Sequence, residues 1–465
     1  MKKVPGFRYN ILLALLLILC SRLPFLNNGY GAEEDSWGLA LVAKVIALTN
    51  VYEASRFPGH PLQEYIYSTI WDKGPFLFNL FTALISTAGI YFFILTLKKL
   101  NARQPVLCGL TLAFVPAIYI NSTNDMDYTW ALAFTLASFY YLISGKHFIS
   151  GVVLALAIGC RITSGIMLPV FLIYIWRDDL ENKIKSSLQL SLSTLILASL
   201  IFLPVFLTYG IGFLTASDYF PYPTLAKVIY KGSMGVFGMP GLIGVSALLI
   251  FFLRRKQLLP AHPAGNKKHK QIFEVSIAVI LFYTIAFAIK PEKSAYLIPL
   301  IPFVILVASL SIETKKLILF SCLLIVSSFT AGLNLDDNIR GNNSSDLSLT
   351  RTISEQKITF DILIGPVMAD YFKRKNKIEF TTEVVNKSSM IQKKTVIIAG
   401  WWMNEILLQL PNEKNSPVEF VFYADETALQ KFQLNQYSVV YLPEQNKWND
   451  LRYQKVFTDK YANPW

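Results

Sequence analysis

The chain reads as an all-α polytopic membrane protein of about eleven transmembrane helices, followed by a small C-terminal extracytoplasmic α/β domain. Three observations predict this. Of the 465 residues, 53% are hydrophobic and only 16% are charged, against about 25% charged in soluble domains. Long apolar runs recur from residue 10 to residue 333 and then stop. The net charge of +12 falls entirely on residues 1–333, because residues 334–465 hold 16 basic and 16 acidic residues. Basic residues in short loops between apolar runs set orientation in a membrane. They are not a nucleic-acid footprint, and no nucleic-acid partner is expected. Cys20, Cys108, Cys160 and Cys322 lie inside apolar runs without metal-ligand spacing and read as small core residues.

Met1 to Phe25 has the charge pattern of a signal peptide, with Lys2, Lys3 and Arg8 ahead of an apolar run. Ser21-Arg22-Leu23-Pro24 is a poor cleavage site, so the segment reads as an uncleaved first span, its start held in the cytoplasm. Residues 27–75 then lie outside. Their stretch Ser36 to Leu48 is apolar but short and interrupted by Lys44, which suits an interfacial segment. Counting it as a span would turn every later Lys/Arg-rich loop outward. The next spans cover 76–97, 105–120 and 129–144. Residues 148–176 are too long for one helix and short for two full spans, so they predict a hairpin with Arg161 near its turn. Spans over 187–208, 237–253, 272–289, 295–311 and 317–333 complete the set. The carboxy terminus is then outside.

Beyond Asn334 the hydropathy falls to that of a soluble domain. Three strand–helix units are expected: Thr395–Ala399 with Trp402–Leu410, Val418–Tyr423 with Glu426–Phe432, and Ser438–Leu442 with Trp448–Val456. A helix over Asp361–Lys373 precedes them. Residues 334–465 contain no His, no Cys and no Gly-rich phosphate loop, and read as a structural or acceptor-docking cap.

The densest polar sequence separates the first two long spans. It opens with Glu33-Glu34-Asp35-Ser36-Trp37 and closes with Trp71-Asp72-Lys73-Gly74-Pro75. A carboxylate at Asp35 suits a general base on an acceptor hydroxyl, and a second acidic site, Asp125/Asp127, emerges on the same side. Lys73 at the water–lipid boundary is either a snorkelling anchor or a partner for a leaving phosphate. Arg161, Lys290 and Lys293 are similar candidates, since cations at the outer ends of spans run against the positive-inside bias. His60, in Pro58-Gly59-His60-Pro61, either donates a hydrogen bond to a sugar or phosphate or simply holds a turn. Trp37, Trp71, Tyr128, Trp130, Tyr219 and Tyr222 offer faces for sugar stacking and equally suit an interfacial aromatic belt.

In their order these motifs resemble the GT-C superfamily of membrane glycosyltransferases. They are similar to bacterial relatives of the dolichyl-phosphate-mannose protein mannosyltransferases and of the lipid A aminoarabinose transferase. Glu34-Asp35-Ser36-Trp37 matches the acidic motif after the first span. Asp72-Lys73-Gly74-Pro75-Phe76 matches an Asp/Glu-Lys-Pro-Pro motif, with glycine for the first proline. Asp127-Tyr128-Thr129-Trp130 fits the second acidic motif, and Pro291-Glu292-Lys293-Ser294-Ala295-Tyr296 looks like a late Pro-Arg-Tyr stretch with lysine where arginine is common.

The resemblance covers residues 1–333. It implies transfer of a sugar, with inversion, from a polyprenyl-phosphate donor to a lipid, glycan or protein acceptor at the outer face of the cytoplasmic membrane. It implies that Asp35 or Glu34 takes the acceptor proton and that Lys73, with Arg161 or Lys293, holds the departing phosphate. Asp127 then orients substrate or a divalent ion. His60, Trp37, Asp72 and Tyr128 are further candidates for contact with substrate. A divalent cation, Mg or Mn, on Asp35 and Asp127 stays open. The alternative is a transporter or flippase of a lipid-linked saccharide, with Arg161 as a pathway charge. Against it, no inverted repeat is visible, and the polar residues gather at one face.

Overall fold

A computed structural model of the protein describes residues 5–178, 180–214, 222–254, 267–334, 345–353, 356–410 and 416–442. The expected loop residues Asp218 and Tyr219 and the helix Trp448–Val456 lie outside the described residues. The helical part runs α1 (Pro5–Arg22), α2 (Glu34–Thr49), α3 (Pro61–Ser68), α4 (Gly74–Lys99), α5 (Pro105–Ala113), α6 (Pro116–Asn121), α7 (Tyr128–Leu142), α8 (His147–Cys160) and α9 (Met167–Arg177). It continues with α10 (Lys183–Tyr209), α11 (Leu225–Gly232), α12 (Met234–Arg254), α13 (Lys267–Ile289), α14 (Ile301–Ser311) and α15 (Thr314–Val326). Prolines open α3, α4, α5 and α6 in their first turns, where the missing N–H leaves no helical bond unmade.

Among the described residues, five helical stretches are long and apolar enough to cross a membrane: Trp71–Lys99, Lys183–Leu214, Met234–Arg254, Lys268–Ile289 and Ser294–Ser311. Tyr9–Phe25, His147–Cys160 and Ile162–Arg177 are apolar but shorter. The chain is a multi-pass membrane protein whose remaining passes are short or broken, so length alone does not give the eleven expected. The hairpin over 148–176 turns at Arg161, between α8 and a 3-10 turn over Ile162–Ile166. The last expected span, 317–333, ends early. Ser327 and Ser328 donate to the carbonyls of Phe237 and Phe114, the backbone turns at Ala331 with φ 55°, and Gly332–Asn334 is a strand.

Helices α4, α7, α8 and α10 pack in sequence. In lipid there is no hydrophobic drive between helices, so close approach and interhelical hydrogen bonds hold them. Gly89 on α4 lies against the backbone of Ala133, and Gly151 on α8 lies against the Leu190 carbonyl, where a Cβ would sit 2.7 Å and 2.5 Å away. Ser138 Oγ donates to the Ser150 carbonyl at 2.7 Å where α7 meets α8. On α10, Leu188, Leu192, Leu195, Ile196, Leu200, Leu203 and Leu207 stay exposed, as a lipid-facing side requires.

One pass is broken, and the break aims a loop. Between α5 and α6 the helix stops because Pro116 has no N–H to give, leaving carbonyls to be satisfied inside an apolar bundle. Arg22, buried at the end of α1, donates to the Ala113 carbonyl and to Ser122 Oγ, while Ser328 takes the Phe114 carbonyl. The Arg22 guanidinium also stacks 3.9 Å over the Tyr119 ring. The chain after α6 is thereby directed into residues 122–127, next to the segment that follows α1.

After α15 the chain forms β1 (Gly332–Asn334), β2 (Ser348–Ile353), β3 (Gln356–Asp361), α16 (Pro366–Ser388), β4 (Thr395–Ile398), α17 (Met403–Gln409), β5 (Val418–Val421), α18 (Glu426–Leu434) and β6 (Ser438–Tyr441). One sheet is antiparallel in the order β1-β3-β2, and the other parallel in the order β5-β4-β6. The parallel sheet is the expected strand–helix alternation. The antiparallel sheet goes beyond that expectation, and the helix expected over 361–373 begins later. Asp361 ends β3, and its carboxylate accepts from the N–H groups of Ser345, Leu363 and Ile364. Only at Pro366 does the helix start.

Candidate active site

Five segments meet beneath the C-terminal unit. They are the start of α2, the loop before α3, the start of α7, the α8–α9 turn, and the chain after α13. Asp127 precedes α7 but does not cap it. Its carboxylate, 1% exposed, is drawn sideways to two guanidiniums: Arg161 Nη1 donates to Oδ2 at 2.7 Å, and Arg56 Nη2 pairs with Oδ1. Burial would raise the Asp127 carboxyl, but the Arg56, His60 and Arg161 groups hold it below the usual carboxylate range. Arg56 lies second against Asp35, Nη1 to Oδ2 at 3.6 Å. Lys293 then closes the chain of charges, pairing with both Asp35 and Glu33. Burial lowers the Lys293 ammonium, yet the Asp35 and Glu33 charges carry it well above the usual lysine value. Asp35 and Glu34 occupy the first turn of α2, where the helix dipole favours a carboxylate.

The aromatics have structural tasks. Arg161 stacks 4.3 Å over the Tyr128 ring and 4.9 Å over Tyr296. Both rings therefore position a guanidinium, a geometry that favours Arg over Lys. Trp37, expected to offer a face to sugar, is 5% exposed. Its Nε1 donates to the Gly31 carbonyl at 2.9 Å, and its ring packs edge-on against Tyr30, so it is a core residue. His60 is also turned inward, 4% exposed. Its Nδ1 meets the Cys160 carbonyl at 2.6 Å, which requires the proton on Nδ1, and lies 3.6 Å from Asp127. Burial, then the Arg56 charge, lowers the imidazole to about 4, so His60 is neutral. Glu64 is buried nearby, accepting from Tyr52 Oη and from the N–H and hydroxyl of Ser55, and braces the loop that carries Arg56.

Other expected residues lie apart from the network. Asp72 and Lys73 pair with each other at 2.9 Å, 50% and 57% exposed, at the start of α4. Lys290 pairs with Glu292 at 3.4 Å. Asp125 shares the acidic loop with Asp127 but not its partners. Its carboxylate is buried beside Ser36, and burial raises its carboxyl well above the usual range. Its backbone does the fastening: Gln63 Nε2 donates to its carbonyl at 2.7 Å, and its N–H donates to the Tyr30 carbonyl at 3.2 Å.

Sequence reasoning missed Arg56, Glu33 and Tyr296 as members of the site. Arg56 carried the same signal that flagged Arg161 and Lys293, a cation in a segment where the positive-inside bias disfavours it. As for a divalent ion, Asp35 and Asp127 are bridged by Arg56, and both are already neutralised by guanidinium or ammonium groups. No group of three or more His, Cys, Asp or Glu that could hold a metal occurs among the described residues. The residues as arranged do not form a metal donor set.

This architecture, a helical bundle with a charged end covered by a small α/β unit, is similar to that of the solved structure of ArnT. ArnT from Cupriavidus metallidurans bound to undecaprenyl phosphate aligns with a TM-score of 0.58 at 11% identity, over 96% of this chain and 91% of that one. Its apo state gives 0.57 at 13% identity, over 95% and 90%. The oligosaccharyltransferase of Archaeoglobus fulgidus aligns at 0.45 and 12% identity, over 84% of this chain and 61% of that one. No curated protein matches by sequence. The profile of the EpsG family matches residues 58–343, and the chain belongs to the EpsG family.

Proposed function

We propose that the protein is a glycosyltransferase of the cytoplasmic membrane. It moves a sugar from a polyprenyl-phosphate donor to a lipid, glycan or protein acceptor at the outer face, with inversion, and the C-terminal unit lies outside. The observation that carries the reading is the alternation of carboxylates and fixed cations, Glu33–Lys293–Asp35–Arg56–Asp127–Arg161, at one end of the bundle. The likeness of fold to an ArnT crystallised with undecaprenyl phosphate supports a lipid-phosphate donor.

In this mechanism Asp35, or its neighbour Glu34, accepts the acceptor hydroxyl proton as the acceptor oxygen bonds to the anomeric carbon. The bond from that carbon to the phosphate oxygen breaks, and the phosphate leaves with the electron pair. Lys293 and Arg161, with Lys73 at the lipid boundary, stabilise that charge, since preformed cations need no reorganisation as it develops. Binding of the phosphate draws Lys293 away from Asp35 and thereby frees the base. Asp127 holds Arg56 and Arg161 in place. The test is transfer by purified protein in detergent from a panel of radiolabelled polyprenyl-phosphate sugars to a membrane extract. Transfer that Asp35→Asn abolishes, with folding intact, supports the reading. Movement of the same lipid across liposomes, indifferent to Asp35→Asn and without transfer, refutes it and favours a flippase.

A further inference from the structure

The C-terminal unit touches the bundle at the two acidic loops. Asn404 on α17 donates from Nδ2 to Glu34 Oε1 at 3.1 Å, a hydrogen bond between residues 370 positions apart. The approach is close because α2 carries Gly38 at the crossing, where a Cβ would stand 2.9 Å from Asn404 Nδ2. Helix α16 adds a second set. Arg374, 2% exposed, donates to both the carbonyl and the hydroxyl of Thr123 at 2.8 Å, and Asp370 balances its charge. Asn28 Nδ2 donates to the Tyr371 carbonyl at 2.7 Å. Ile378 and Leu408 pack on the cluster built from Tyr30, Trp37, Leu39 and Ala40. One unit thus grips residues 28–38 and residue 123, four positions before Asp127.

We infer that the C-terminal unit is a positioning element of the candidate site, in which Asn404 fixes the Glu34 carboxylate while α16 holds the two acidic loops in register. This deepens the reading proposed above and rests on it for its catalytic consequence. The two adjacent carboxylates are separated by their partners. Asp35 turns to Lys293 and Arg56, and Glu34 turns to the amide of Asn404. The Asn404 amide thereby orients Glu34 at the junction of bundle and C-terminal unit, apart from the ion pairs that hold Asp35.

Two readouts on the full-length protein in detergent test this. In hydrogen exchange, Asn404→Ala speeds the amides of α2 by about tenfold and leaves α10 unchanged, because local opening of α2 becomes easier without the hydrogen bond to Glu34. Unchanged exchange on α2 overturns the inference. Asn404 is half-buried, so this variant folds where Arg374→Ala, which strips a buried pair, is at risk. In the transfer assay, Asn404→Ala lowers the rate constant by about tenfold, is rescued by Asn404→Gln, and adds nothing in a Glu34→Gln background, as expected of residues acting as one unit. Additive losses, or a loss confined to donor affinity, overturn it. A wild type that transfers nothing refutes the catalytic reading, while hydrogen exchange still decides the positioning.

Discussion

The polar segment between α1 and α4 carries charges at both of its ends, and the fold treats the two ends differently. At the near end, Lys293 pairs with Glu33 and Asp35, and Arg56 ties Asp35 to Asp127, a network spanning residues 33 to 293 whose innermost carboxylate, Asp127, is 1% exposed. At the far end, Asp72 and Lys73 meet only as neighbours and stay at least half exposed. Proximity in sequence gives a pair that water screens, whereas convergence of distant segments gives a network that runs from the half-exposed Glu33 inward to Asp127, which water does not reach. Only the second has charges whose positions the whole fold depends on.

The largest break in that contrast is expected from Asp127→Asn. It leaves Arg56 and Arg161, each 15% exposed, without their shared buried carboxylate, and breaking a buried pair costs about 3–5 kcal/mol. Thermal unfolding in detergent checks it, and a melting temperature equal to wild type would show the network to be dispensable. Next comes Asp35→Asn, expected to lower the rate constant for sugar transfer by about 10²–10⁴-fold, the usual worth of a general base, with the melting temperature held.

A smaller effect is expected from acid. The folded imidazole of His60 titrates at about 4 against 6.5 when unperturbed. Between those values the unfolded chain binds the extra proton, so stability falls as the pH drops from 6.5 towards 4. Asp127, also lowered, adds a loss below about pH 4 as its carboxylate is protonated. His60→Gln should flatten the upper part of the profile and leave the lower part, as read by melting temperature against pH. The smallest effect sits at the far end. Lys73→Ala should melt like wild type, with undecaprenyl phosphate binding weakened by about tenfold if the ammonium meets the phosphate. Unchanged binding would assign that role to Lys293 and Arg161 alone.

Much of the bundle was legible because lipid imposes simple rules. Apolar length marked a multi-pass bundle, and the too-long stretch 148–176 marked the turn at Arg161. The break at Pro116 and the early end of α15 were not legible, since Arg22 and Ser328 satisfy the freed carbonyls from elsewhere in the chain. In the site, Asp35 and Asp127 stood out as two carboxylate clusters on one side, and Arg161 and Lys293 as cations where the positive-inside bias disfavours them. For Trp37 and His60 the sequence left both a substrate-facing and a structural reading open, because a loop position says nothing about which way a side chain turns.

The sequence by itself determined a multi-pass helical bundle, a polar loop rich in carboxylates, and a C-terminal unit of alternating strands and helices. Hydrophobic periodicity and charge placement are local, and each short window carries them. The tertiary structure alone decided that Asp35 meets Lys293 across 258 residues and that Glu34 meets Asn404 across 370. An ion pair or hydrogen bond of that separation leaves no trace in either neighbourhood, because its energy belongs to the geometry that brings the two side chains together.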